Sequence, residues 1–366
     1  VTLATPVHPP VSAVGLDGVV AAESRLSRVD GLAGTLLIAG APVETLAGRL
    51  PVEALFARLF ALAEGRAVTA VPELSARLGA EREAAWARLG PHQALLCGAD
   101  GIAVVRALLP LMLPEEPGPE AILSALHVAV AAWTRARAGA PPVAPAAGAG
   151  VAADLLRMAT GDPDTVRAAA LDAYLGAVVD HGLNASTFTA RVVASTAADD
   201  LSAVVAALGA LKGRLHGGAP GPVLDMLDAI ARPERARAWL EAELAAGRRI
   251  MGMGHRVYRV RDPRVAVLER ALESLPGAGA RRVLAAAVER EAAALLERAH
   301  PGRRLRANVE LGTAVLLDAL GLPREAFTPV FACSRAAGWL AHATEQRRTG
   351  RLLRPRLSYV GPMVSG

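Results

Sequence analysis

Helical periodicity built from alanine and leucine recurs along almost the whole chain, and no other feature restricts its possible folds as much. VEALFARLFALAEG (52–65), AILSALHVAVAAWTRARAG (121–139) and RRVLAAAVEREAAALLERAH (281–300) all repeat apolar residues at three- and four-residue spacing. That spacing gathers them on one face of a helix. Strict two-residue alternation is scarce, and GTLLIAG (34–40), short and glycine-bounded, is the best candidate strand. The expected class is therefore mainly α. No fixed-period repeat points to a solenoid. At 366 residues the chain exceeds what one hydrophobic core usually spans, so two domains are expected.

Although 52% of the residues are apolar, no stretch approaches the roughly 18 uninterrupted apolar residues of a spanning helix. No membrane association is expected. The first dozen residues, VTLATPVHPPVS, have neither a basic start nor an apolar run. They read as a short frayed arm, with no signal peptide. Cys97 and Cys333 are the only cysteines; both have apolar neighbours, and two buried thiols in a cytoplasmic protein is the reading they favour over a disulfide.

The net charge of +5 comes almost wholly from arginine, Lys212 being the sole lysine. These arginines are scattered among glutamates, and aromatics are only 3% of the chain. A basic stripe and stacking platforms are both missing, so nucleic acid is not an expected partner. Isolated arginines suit small carboxylates and phosphates better. By composition alone, GAPPVAPAAGAG (139–150) reads as a linker, with further breaks at HGGAPGP (216–222) and GLPREAFTP (321–329).

Four segments carry polar residues that helix-building does not require. In LKGRLHGGAPGPVLDML (211–227), His216 follows a helix ending near Gly213, and the next helix is expected to open around Pro222. The segment reads either as a turn with an incidental histidine or as an imidazole kept neutral by a helix N-terminus, able to donate to a carbonyl. In RRIMGMGHRVYRVRDPR (248–264), Gly252 and Gly254 let backbone pass close to a ligand just before His255. Asp262 and Pro263 form an N-cap and first helical residue, which puts Arg264 in a first turn where a cation needs an anion.

In DHGLNASTFTARV (180–192), His181 and Asn184 precede a Ser/Thr-rich stretch that a capping turn explains as well as a site does. In AFTPVFACSRAAGWLAHATEQ (326–346), Arg335 stands alone amid apolar residues. A buried guanidinium requires an anionic partner, either a structural glutamate or a ligand carboxylate. The histidines show no metal-ligand spacing, and no metal is expected.

Taken together these segments resemble the citrate synthase family. GLDGVVAAESRLSRVDG (15–31), WTRARAGAPPVAP (133–145), DHGLNAST, ALKGRLHGG, MGMGHRVYRVRDPR, NVE, FACSRAAGWLAHATEQ and RLLRPRLSYVGP (351–362) follow in the family's order and spacing. The resemblance implies a helical homodimer. A large domain (1–217 and 323–366) would carry an inserted small one (218–322), with 139–150 a large-domain loop. It also implies condensation of acetyl-CoA, as co-substrate and with no bound cofactor, with oxaloacetate; a propionyl-CoA enzyme making 2-methylcitrate and a low-activity regulatory paralogue are the alternatives.

By the same resemblance His216 polarises the thioester carbonyl, Glu310 removes the α-proton and His255 protonates the oxaloacetate carbonyl. His181, Asn184, His255, Arg264 and Arg335 would hold oxaloacetate, with Arg354 reaching across the dimer. Met251, Gly252, Met253, Gly254 and Asn308 would face coenzyme A. The neighbouring histidines and arginines are expected to keep Glu310 ionised. The chain departs from the family pattern at Glu310, where aspartate is usual, and at Leu311 and Gly312, where an aromatic pair is usual. It departs again at Pro220 and across GADGIAVVRALL (98–109).

Overall fold

The computed structural model describes residues 16, 18–213, 215–217, 220–255, 257–303, 305–356, 359 and 361. The expected N-terminal arm (residues 1–12) and the expected domain boundary at residue 218 lie outside them. Among the described residues the chain forms one small antiparallel sheet and fifteen α-helices. The sheet runs β1 (Ser27–Asp30), β2 (Thr35–Ile38), β3 (Ala41–Pro42), with Ser27 opposite Ile38 and Leu37 opposite Pro42. β2 is the glycine-bounded run, and its Leu36 and Ile38 face the core. β1, SRVD, has no buried residue, so no alternation marks it in the sequence.

After the sheet come α1 (Val43–Leu46), α2 (Val52–Glu64), α3 (Val71–Leu89), α4 (Gly101–Leu108), α5 (Pro119–Arg137), α6 (Val151–Thr160), α7 (Thr165–Val178), α8 (Ala185–Ala194) and α9 (Asp200–Leu211). Beyond His216 follow α10 (Pro220–Ile230), α11 (Ala236–Ala245), α12 (Pro263–Glu273), α13 (Gly279–Ala299), α14 (Val309–Ala319) and α15 (Phe327–Thr349). The three periodic runs are thus α2, α5 and α13, each matched within two residues. Asp100, Asp164, Asn184, Asp199, Asp262 and Asn308 each accept a first-turn amide as N-caps, which satisfies donors the helix leaves free. α10 opens at Pro220, two residues before the expected Pro222.

Two helices form the interior. Every residue of α5 from Ala121 to Thr134 is buried, the pattern of a helix enclosed on all sides. α15 packs on α5 and on α2, α7, α8 and α9, and Trp133 of α5 and Trp339 of α15 are both fully buried. Helices α10 to α14 pack among themselves through α11 on α13 and α14 on α10, α12 and α13. α12 and α14 also meet α7, which brings the segments around Arg264 and Glu310 near those around His181.

The Pro/Gly-rich stretch at 139–150 is a pinned loop and not a linker. Arg82 Nη2 donates to Ala149 O, Arg157 Nη2 to Ala144 O, and the Ala146 amide to Asp154 Oδ1. Cys333 is buried but Cys97 is exposed, contrary to the expectation of two buried thiols. It ends a 3-10 stretch, Gly90–Cys97, in which only Leu96 is buried. Its apolar neighbours do not shield it. Among the described residues no helix is long and apolar enough to cross a membrane.

Candidate active site

The end of α7 and the middle of α15 build the first half of the site. α7 stops at Val178, leaving its last carbonyls without helical partners. Arg335 Nε donates to the Val178 carbonyl at 2.8 Å, and its guanidinium lies 4.6 Å above the Phe331 ring, one turn earlier on α15. Gly338, one turn later, permits this approach, since a Cβ there would stand 2.5 Å from Val179 O. Among the described residues no carboxylate forms an ion pair with Arg335, and burial pushes its pKa down to about 10. His181 follows at the turn into α8.

His216 hangs from the loop after α9, where its amide donates to Gly213 O at 2.9 Å. Its Nε2 lies 2.8 Å from Ser186 Oγ. That hydroxyl also receives the Trp339 indole N–H at 3.1 Å and donates to Asn184 Oδ1 at 2.8 Å. Asn184 Oδ1 already accepts the Ser186 and Thr187 amides.

The second half is assembled by a two-residue antiparallel bridge, Met253 to Ala307. Gly254 N donates to Arg306 O at 2.7 Å, Asn308 N to Gly252 O at 3.0 Å, and Asn308 Nδ2 to Gly254 O at 2.8 Å. Gly252 and Gly254 take φ of +73° and +80°, a region open to glycine at little strain. Met251 to Gly254 and Asn308 are thereby one unit. His255 follows the bridge on one strand, Glu310 on the other. His255 Nδ1 accepts the amides of Val257 and Tyr258 at 3.0 and 3.1 Å, so its proton sits on Nε2.

The departures around Glu310 are repacked. Leu311 is buried against Gly252, and Gly312 faces Leu268 of α12, whose side chain a Cβ would meet at 3.0 Å. In α4, Asp100 caps the first turn and Gly101 fits against Trp133 and Pro329.

The two halves meet at three rings. His181 lies 5.4 Å from His255 and 5.5 Å from Tyr258 between centroids, and His255 lies 4.7 Å from Tyr258. His181 Nε2 is 3.1 Å from the Tyr258 hydroxyl. Burial, then the charges of Arg264 and Arg335, hold His181 well below the ordinary imidazole range. Burial, aided by Arg335, brings His216 down to about 4; burial, aided by Arg264, does the same for His255. At neutral pH all three are uncharged hydrogen-bonding groups.

Arg264 is buried in the first turn of α12 and meets its anion there: Nε and Nη2 reach Asp262 at 3.0 and 2.7 Å. Burial acts to raise the Asp262 carboxyl, but the Arg264 charge holds it below its ordinary value. For Glu310 the balance reverses. Burial raises its pKa although Asn308 and Arg264 oppose the shift. A carboxylate lifted in this way is a stronger base once ionised.

Of the remaining expected residues, Asn184 spends its side-chain oxygen on capping α8 and holding Ser186. Arg354 is exposed on the segment after α15, outside the cluster. Tyr258, Ser186 and Trp339 were not singled out beforehand. Tyr258 and Trp339 stand inside the quoted motifs, and Ser186 read only as a capping residue. Among the described residues no group of His, Cys, Asp or Glu could hold a metal ion.

A family model described as "Citrate synthase, C-terminal domain" matches residues 15–356. A Mycobacterium tuberculosis protein provisionally named citrate synthase 2 is 48% identical over 203 residues, 55% of this chain and 54% of its own length. The match thus spans about half of that relative. A 2-methylcitrate synthase of the same species is 36% identical over 370 residues, covering 95% of this chain and 90% of the relative. The solved structure of the ternary complex of the Thermoplasma acidophilum citrate synthase with carboxymethyl coenzyme A and oxaloacetate superposes with a TM-score of 0.82, at 26% identity and 97% coverage of both chains.

Proposed function

The chain belongs to the citrate synthase family, and from that premise we propose that it condenses acetyl-CoA with oxaloacetate and water to give citrate and CoA. The observation that carries the reading is the charge state of the cluster. Two buried guanidiniums, one with no carboxylate partner among the described residues, stand with three imidazoles held neutral. Such a cluster fits a dianion that also presents a carbonyl. Arg335, Arg264 and His181 would hold the two carboxylates, with Asn184 at the margin.

In the proposed reaction the Glu310 carboxylate takes a proton from the thioester methyl group. The developing enolate is met by neutral His216 as hydrogen-bond donor, since a thioester α-proton is too weak an acid for an unaided carboxylate. The electron pair released forms the new carbon–carbon bond to the keto carbon, and His255 Nε2–H supplies the proton that makes the keto oxygen a hydroxyl. Water then cleaves the thioester, releasing the CoA thiol. Met251 to Gly254 and Asn308 form the surface assigned to the coenzyme.

The wider assignment comprises a cytoplasmic homodimer with Arg354 entering the neighbouring site, an inserted unit over 218–322, no bound cofactor, and neither nucleic acid nor membrane as partner. Thiol release with oxaloacetate and acetyl-, propionyl- or butyryl-CoA tests the reading. Fastest turnover with propionyl-CoA would move the assignment to 2-methylcitrate synthesis, the activity named for one relative. No thiol release with any of the three would overturn it.

A further inference from the structure

Behind His181 lies a chain of buried polar side chains that the proposed chemistry does not use. Asp180 Oδ2 accepts from Ser27 Oγ, which itself accepts the Gly182 amide at 3.0 Å, so both neighbours of His181 are tied to β1. Asp180 Oδ2 also lies 3.3 Å from His342 Nε2, and His342 Nδ1 lies 2.9 Å from Arg191 Nη1. A guanidinium only donates. The His342 lone pair therefore faces Arg191 and its proton faces Asp180. Arg191 continues to Glu345 at 2.8 Å and, through Nε, to Gln346 Oε1 at 2.9 Å. Gln346 Nε2 donates to Arg351 O at 2.8 Å, and the Leu353 amide reaches Ser195 Oγ at the end of α8 at 3.1 Å. Asp180, Arg191, His342, Glu345 and Gln346 are all buried.

Buried ion pairs give little net stability, so stability alone does not account for this run. It leads from the His181 turn to the residues just before Arg354, and so joins this chain's own oxaloacetate site to the arm that the proposed function sends into the neighbouring one. We propose that His342 and Arg191 are positioning residues that lock the His181 turn and the Arg351–Leu353 segment into one rigid unit. The consequence for oxaloacetate rests on the function proposed above; the mechanical coupling does not.

The test is peptide-resolved hydrogen exchange and steady-state kinetics on the full chain. His342→Leu keeps the bulk but cuts both bonds. His342→Gln can still accept from Arg191 and donate to Asp180. Leucine should speed exchange in the peptides spanning 180–184 and 351–353 together. It should raise the oxaloacetate KM on the order of tenfold, with kcat and the acyl-CoA KM little changed, and glutamine should restore most of the loss. If leucine fails to fold, Gln346→Leu should free 351–353 while leaving 180–184 protected. Exchange confined to 180–184 in His342→Leu, or glutamine no better than leucine, overturns the proposal. An inactive wild-type protein would sink the function alone, because the exchange result still decides the coupling.

Discussion

Replacing Arg335 with leucine separates the stability of the chain from its ligand binding. In the unliganded protein burial pushes this guanidinium's pKa down to about 10, a strain on the order of 3 kcal/mol. Leucine removes that strain but leaves the Val178 carbonyl without its donor, at about 1–3 kcal/mol. The two nearly cancel, so the unliganded variant should melt within a few degrees of wild type. Oxaloacetate binding has no such compensation. Losing a buried charge-assisted contact costs roughly 2–5 kcal/mol, which is about 30-fold to several thousand-fold in Kd. Calorimetric titration gives the affinity, and thermal melts with and without oxaloacetate give the stabilisation by ligand. Leucine should abolish the ligand-induced rise in Tm while sparing the unliganded Tm. An unchanged Kd would refute the assignment of Arg335; a large fall in the unliganded Tm would refute the balance.

Glu310→Gln should keep oxaloacetate binding yet stop exchange of acyl-CoA α-protons into deuterated water, while Glu310→Asp should lose about 10²-fold in rate because the carboxylate stands about an ångström short. Ser186→Ala should lower kcat and leave the oxaloacetate KM in place, since it removes the bond that orients the His216 ring; an unchanged kcat would remove Ser186 from the mechanism. His216 and His255 have folded pKa values near 4, below the ordinary 6.5, so the unfolded chain takes up protons first as pH falls. Stability should therefore drop between about pH 6.5 and 4, and replacing both with glutamine should flatten that slope in melts across pH. Mixing Arg354→Leu subunits with His216→Ala subunits should restore activity that neither variant has alone; no recovery would argue against a shared site.

Local chemistry was legible in the sequence wherever one segment contained it. The α2, α5 and α13 runs, the Asp262–Pro263 cap and the glycine-bounded β2 all depend on residues a few positions apart. The isolation of Arg335 was legible too, because no acid stands near it on its own helix. Convergence was not. His181 and Tyr258 meet across 77 positions, and only the packing of α12 and α14 on α7 brings them together. Burial was also hidden: its presence raises Glu310 and its absence leaves Cys97 exposed, and neither follows from neighbours in the chain. Ser186 looked like a cap because it does lie in a capping turn; its bond to His216 comes from a loop 30 residues away.

The bridge between Met253 and Ala307 also bears on which changes of length the gene can tolerate. His255 stands two residues beyond the bridge on one side and Glu310 three residues beyond it on the other. One inserted residue in either short arm, the first turning at Gly254 and the second entering α14, shifts and rotates the functional group relative to the bridge. The stretches 232–250 and 274–300 lie outside both arms, so additions there leave the spacing of acid and base unchanged. Insertions and deletions should therefore accumulate in those stretches among related chains, and the counts from 253 to 255 and from 307 to 310 should stay fixed even where the residues themselves change.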